Sequence, residues 1–190
     1  MGPFDHAAVT LAACRAVLGR LTEDDLSRPS PCTEYTVGEV GQHVVRSMVL
    51  LASVAAGPVD PAAGPVGSAA GPAAGPVGSL EEQVAVTTEA ALAAWRRRGL
   101  GGTVAVGRST LPADLAFEII PMELLVHGWD VARATGQQID VPPEVADHLL
   151  DRARELVTDD KRGRSFAAEV PAGPQASALQ RLIAFTGRVP

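Results

Sequence analysis

Apolar residues recur along most of this chain at steps of three and four, the period of a helix that buries one face. Phe4, Ala8, Leu11 and Leu18 form the first such stripe and predict a helix from about Phe4 to Leu18. Thr22 to Asp25 can cap a short turn that Pro29 and Pro31 end. Thr36-Val-Gly-Glu39 is a capping box, in which the threonine hydroxyl and the glutamate carboxylate serve each other's backbone amides. It opens a second helix with Val37, Val40, Val44, Met48 and Leu51 on one stripe. Ser79-Leu-Glu-Glu82 repeats the box and opens a third, carrying Leu80, Val84, Ala91 and Trp95 and stopping at Gly99.

Gly101 to Gly107 is β-branched at Thr103, Val104 and Val106 and predicts an extended segment without an evident partner. A fourth helix is expected from Pro112 to Gly136. Pro121 lies inside it. Its ring crowds the carbonyl of Phe117, which predicts a kink or break one to two turns before Glu123 and His127. Pro142-Pro143 opens a fifth helix with Val145, Leu149, Ala153 and Leu156, and a short last helix runs from Ala176 to Phe185. The expected fold is all-α: a four-helix up-down bundle with short carboxy-terminal helices. Residues 57–79 repeat a Gly-Pro theme and predict a flexible insert within a single domain spanning 1–190.

Composition narrows the function classes. With 46% hydrophobic and 20% charged residues the chain can pack a core. A net charge of −6 and a pI near 5.2 argue against a nucleic-acid partner. The longest apolar run, Met48 to Gly57, is about half of the ~20 residues that a membrane span needs, and no secretory leader is visible at the start. The expectation is a cytoplasmic protein with no membrane partner. Cys14 and Cys32 make neither a disulfide framework nor a CxxC pair, and both read as packing residues. Arg96, Arg97 and Arg98 close the third helix, where they complement its dipole.

Three of the four histidines follow a glutamate by four positions: Glu39/His43, Glu123/His127 and Glu144/His148. That spacing puts both side chains on one helix face, but its recurrence makes it undiagnostic by itself. Glu39 is explained as a capping residue. Glu144 and His148 lie among Asp147, Asp151 and Arg152, off the Val145/Leu149 stripe, and read as solvated surface. His43 lies between Val40 and Val44, and Glu123 and His127 share a face with Ala116, Ile120 and Ala134.

Polar groups on apolar faces need partners. One reading is a core histidine hydrogen-bonded to a core glutamate. The other joins His43, Glu123 and His127 at one ion held between facing helices. Two imidazoles and a carboxylate suit Zn²⁺ and leave one position open, and they argue against Ca²⁺. Asp130, one turn beyond His127, either supports that imidazole from behind or pairs with Arg133 or Arg46 at the surface.

Pro31-Cys-Thr-Glu-Tyr-Thr-Val, Gln42-His-Val44 and Glu123-Leu-Leu-Val-His-Gly-Trp-Asp-Val-Ala-Arg-Ala-Thr-Gly136 resemble the DinB-like superfamily. The closer likeness is to the mycothiol-dependent maleylpyruvate isomerase amino-terminal domain and its actinobacterial metal-binding relatives. The tail, Glu169 to Pro174 and Leu179 to Arg188, is similar to the close of those short relatives. The resemblance implies a four-helix bundle with a divalent metal, usually zinc, at the positions of His43, Glu123 and His127. Tyr35 stands where relatives often carry tryptophan. The isomerase has a further carboxy-terminal domain that this chain is expected to lack, so transfer is the better expectation than isomerisation.

Three readings stand open. The first is a metal-dependent enzyme that activates a thiol such as mycothiol, as co-substrate, for transfer to an electrophilic small molecule. The second is a metal-dependent hydrolase or biosynthetic enzyme, in which the same open position activates water or a carbonyl. The third is a non-catalytic bundle that binds metal or a small ligand. In each the partner is a small molecule, and the apolar content leaves room for a homodimer.

Overall fold

A computed structural model describes residues 1–57, 78–163 and 166–190. Nearly all of the insert expected at 57–79 lies outside the described residues. Helix α1 spans Pro3–Leu18, with proline in its first turn and the Asp5 carboxylate accepting from the Gly2 amide at 2.8 Å. After Leu21, the Thr22 amide donates to Asp25 Oδ2 at 3.0 Å and a 3-10 turn follows at Asp24–Ser27. Helix α2 (Val37–Ala56) and helix α3 (Leu80–Arg98) both begin at the expected capping boxes. At α2 the Thr36 amide donates to Glu39 Oε2 at 2.8 Å, and the Glu39 amide donates to Thr36 Oγ1 at 3.4 Å.

The extended segment has a partner that the sequence did not reveal. Strand β1 (Thr103–Val106) pairs antiparallel with strand β2 (Ser109–Pro112), with Thr103 opposite Pro112 and Val106 opposite Ser109. The second strand, Ser-Thr-Leu-Pro, is short and ends in the proline that also caps the next helix. Arg98 donates to the carbonyls of Gly99, Gly101 and Thr103 and ties the hairpin to the end of α3.

The expected fourth helix is two helices. Helix α4 (Ala113–Phe117) and helix α5 (Ile119–Thr135) meet at Glu118. The break comes before Pro121, which leaves the proline in the first turn of α5, where its missing N–H would have no carbonyl to reach. Gly136 ends α5 with φ +70°, a left-handed conformation that glycine adopts without steric cost. Helix α6 spans Pro143–Leu156. Helix α7 (Ala178–Phe185) starts two residues later than its hydrophobic pattern suggests, because Ser177 and Gln180 form a further capping box.

The fold is all-α apart from the hairpin. Helix α1 packs on α5 and α3, and α2 packs on α3 and α5, so these four close a ring around one core. Met48, Leu51, Trp95, Phe117, Ile120, Leu124 and Leu125 fill it, each essentially without exposure. Burial of each aliphatic member contributes about 1.5–3 kcal/mol. Trp95 Nε1 donates to the Leu51 carbonyl at 3.0 Å, so the one polar atom of that side chain is satisfied inside. A methyl at Gly128 would meet Ile139 Cδ1 at 2.8 Å and Cys14 Cα at 3.5 Å, so α5 lies directly on α1 next to His127. Helices α6 and α7 pack on each other outside the ring, α6 against α4 and α5. Among the described residues no helix is long and apolar enough to cross a membrane.

Candidate metal centre

The capping box fixes where α2 begins and therefore where His43 falls, two turns in. Its neighbours Val40 and Val44 are buried, so the helix is held with His43 at the edge of the core and turned toward α5. Glu123 and His127 sit one turn apart on α5, just beyond the break at Glu118. The three side chains converge. His43 Nε2 lies 3.1 Å from Glu123 Oε2, and His127 Nε2 lies 3.7 Å from the same oxygen. One ligand atom from each falls within 4.8 Å of the other two.

The arrangement suits a cation better than a hydrogen-bonded pair. Glu123 Oε2 is buried and, among the described residues, makes no aligned hydrogen bond despite the nearby His43 nitrogen. A buried carboxylate oxygen without a donor is costly unless a positive charge faces it. Burial opposes ionisation of Glu123, but the surrounding His43 and His127 imidazoles outweigh it and hold its carboxyl down at about 2. The group is therefore a carboxylate at neutral pH, the form that ligates a metal.

Behind His127 stands Asp130, without solvent exposure. Asp130 Oδ2 is 3.0 Å from His127 Nδ1. An ionised carboxylate only accepts, so Nδ1 carries a proton, and Nε2 is the nitrogen turned toward Glu123. Arg188 clamps Asp130 from the other side, with Nε on Oδ1 and Nη2 on Oδ2, both at 2.8 Å. Burial again opposes the charge, and Arg188 and His127 together hold the Asp130 carboxyl below the usual range.

A cavity of about 400 Å³ opens beside the cluster, lined by His43, Glu123 and His127 together with Tyr35, Phe166 and Arg188. The Tyr35 ring stacks on His43, with centroids 5.6 Å apart and planes 28° from parallel. Cys32 also lines this cavity. Burial and the neighbouring Asp130 carboxylate push its thiol up, so it is not an activated nucleophile. Cys32, His127 and Asp130 also come close together. Asp130 is already engaged by Arg188 and His127, which leaves that grouping without a free carboxylate. Cys14 is a core residue, with its thiol pushed up to about 12 by burial.

Two sequence expectations need correction. Asp130 lies behind the imidazole as one reading had it, but its cation is Arg188, not Arg133 or Arg46. Arg188 comes from the chain beyond α7, 58 positions from Asp130, where no local spacing could point to it. His148 is not part of a solvated pair with Glu144. Its Nε2 lies 2.9 Å from Oε1 of the buried Glu118, and its ring lies tilted against that of buried His6, with centroids 4.2 Å apart and planes 40° from parallel. The break before α5 turns Glu118 inward, which an unbroken helical wheel would not indicate.

Comparison with known proteins identifies the family. The family model described as "Mycothiol maleylpyruvate isomerase N-terminal domain" matches residues 7–132. Two relatives from Mycobacterium tuberculosis are each 33% identical over 178 residues, covering 93% of this chain and 92% of their own length. They are uncharacterized protein Rv0738 of strain H37Rv and uncharacterized protein MT0763 of strain CDC 1551. No solved structure matches. The chain belongs to the mycothiol maleylpyruvate isomerase N-terminal domain family.

Proposed function

We propose that this family member is a zinc-dependent enzyme that uses a small thiol, mycothiol or a close analogue, and transfers it to an electrophilic small molecule. His43, Glu123 and His127 are the metal ligands. The observation that carries the reading is the convergence of His43 Nε2 and His127 Nε2 on one buried oxygen of Glu123, at 3.1 and 3.7 Å, at the wall of a cavity. The family's printed name supplies the thiol.

A bound zinc ion with an open position supplies a Lewis acid that keeps a thiol ionised at neutral pH. The chain's own groups do the rest. Asp130 accepts a hydrogen bond from His127 Nδ1 and so leaves Nε2 as the nitrogen that would hold the ion. Arg188 keeps Asp130 ionised, and Tyr35 stacked on His43 limits rotation of that ring. The cavity of about 400 Å³ falls within the usual size for a small-ligand site, and its Met122, Val126 and Phe166 walls offer apolar surface beside the polar cluster. In the transfer the thiol sulfur forms the new S–C bond, the leaving group departs with its electron pair, and the thiol proton passes to solvent. Cys32 stays protonated at the wall and takes no covalent part.

The test is thiol-dependent consumption of an electrophile, such as a chlorodinitrobenzene, by zinc-loaded protein supplied with mycothiol. Turnover is expected to vanish in His127→Ala and Glu123→Ala, and to fall by about 10–100-fold in Asp130→Ala, where the ligand loses its support. Substrate loss that needs zinc but ignores thiol would assign a hydrolase instead. Zinc bound at these residues with no turnover would leave a binding bundle.

A further inference from the structure

The three side chains His6, Glu118 and His148 form a cluster that the proposed reaction does not use. His6 comes from the first turn of α1, Glu118 is the break between α4 and α5, and His148 lies on α6. None of them lines the cavity beside His43. One ligand atom from each lies within 4.8 Å of the other two, the same closeness that joins His43, Glu123 and His127.

A neutral hydrogen-bonded core does not account for this cluster. His148 Nε2 and Glu118 Oε1, 2.9 Å apart, can satisfy each other. That leaves Glu118 Oε2 and His6 Nδ1, both buried and, among the described residues, both without a hydrogen-bond partner. Glu118 is 3% exposed and His6 7% exposed, so solvent does not compensate them. Two orphaned polar atoms side by side cost free energy that native interiors rarely carry. Arg152 is held through its two terminal nitrogens by Asp114 at 3.1 Å and Glu155 at 2.8 Å; its buried Nε has no partner among the described residues, and the side chain makes no hydrogen bond to Glu118. The adjacent, tilted His6 and His148 rings present two imidazoles to one carboxylate.

We propose that His6, Glu118 and His148 form a second, structural site for a divalent transition-metal ion, zinc or a similar borderline ion. The donor set of two imidazoles and one carboxylate selects such an ion over Mg²⁺ or Ca²⁺. An ion here would pin α1, the α4–α5 break and α6 to one another. It would thereby fix the direction in which α5 leaves Glu118 and carries Glu123 and His127 to the first centre. Its role is mechanical, and it does not depend on what the first centre catalyses.

The experiment separates the two sites. The full chain carrying Glu123→Ala and His127→Ala, stripped with a chelator, is titrated with Co²⁺ by its visible absorption and then with Zn²⁺, with bound metal counted after desalting. The expected result is one ion retained per chain. Zinc at a hundredfold excess over Kd should raise Tm by about 5–10 °C. Adding His148→Gln or Glu118→Gln should remove both the ion and the Tm response, with helical circular dichroism intact. No retained ion in the well-folded double variant overturns the proposal. So does a retained ion that survives both glutamine substitutions.

Should the double variant fail to fold, the native chain decides. Two ions falling to one in His148→Gln supports the second site, and a count that His148→Gln leaves unchanged overturns it. One ion in the native chain that His148→Gln removes would support this site and overturn the first centre.

Discussion

Removing the guanidinium of Arg188 should destabilise the protein more than its position near the carboxy-terminal end suggests. The Arg188→Ala variant takes away two charge-assisted hydrogen bonds of 2.8 Å and leaves the Asp130 carboxylate, with no exposure, to His127 alone. For charge centres about 4 Å apart and an effective dielectric near 20, the attraction is about 4 kcal/mol. Stranding one member of a buried pair costs about 3–5 kcal/mol. The Arg188 side chain is only 11% exposed, so solvent screening gives little relief. Each single variant, Arg188→Ala and Asp130→Ala, should lose about 3–5 kcal/mol, and Tm should fall by about 6–20 °C. The double variant strands neither charge and should lose less than the sum of the singles, with a coupling energy of about 2–4 kcal/mol.

Urea denaturation followed by circular dichroism, with chelator present, measures this cycle free of any metal effect. Arg181 and Asp147 provide the control: their ion pair is as short, at 2.7 Å, but both side chains are largely exposed. That pair should couple by less than about 1 kcal/mol. A coupling of Arg188 with Asp130 below about 0.5 kcal/mol would refute the reasoning and reduce the clamp to a surface contact.

Gly128→Ala should cost about 1–3 kcal/mol, because the new methyl would sit 2.8 Å from Ile139 Cδ1 and 3.5 Å from the Cys14 backbone; chemical denaturation measures it, and an unchanged midpoint would contradict the close packing of α5 on α1. Glu39 should titrate below an ordinary glutamate, held down chiefly by the Thr36 backbone amide. Because its pKa is lower folded than unfolded, its contribution is present above the unfolded value and lost as pH falls through the folded one. Carboxyl NMR titration tests this, and a pKa at or above the ordinary range would remove the capping argument.

Local signals in the sequence fix the starts of two of the helices. The boxes at Thr36/Glu39 and Ser79/Glu82 place the starts of α2 and α3, since a cap needs only residues three apart. Pro121 announced an interruption near Phe117, although the chain breaks fully at Glu118 where a kink would also have met the steric demand. His43, Glu123 and His127 were legible as polar groups on apolar helix faces, and the family resemblance joined them into one set. What escaped depends on tertiary placement. The partner strand Ser109–Pro112 has too little β-branching to stand out, and Arg188 meets Asp130 only once α7 has folded back. His148 looked solvated on its own helix, because the groups that shelter it, His6 and Glu118, belong to other elements.

The clamp of Arg188 on Asp130 also sets an order of events during synthesis. Its two members are 58 positions apart, and the arginine is synthesised well after the aspartate. Until that stretch docks, Asp130 has no cation and His127 has a less firmly held neighbour. Contacts of such sequence separation form late, after helices have nucleated and paired. A nascent chain can thus assemble its α-helical ring while the centre is still unfinished, and a correctly set His127 marks a chain synthesised at least through Arg188.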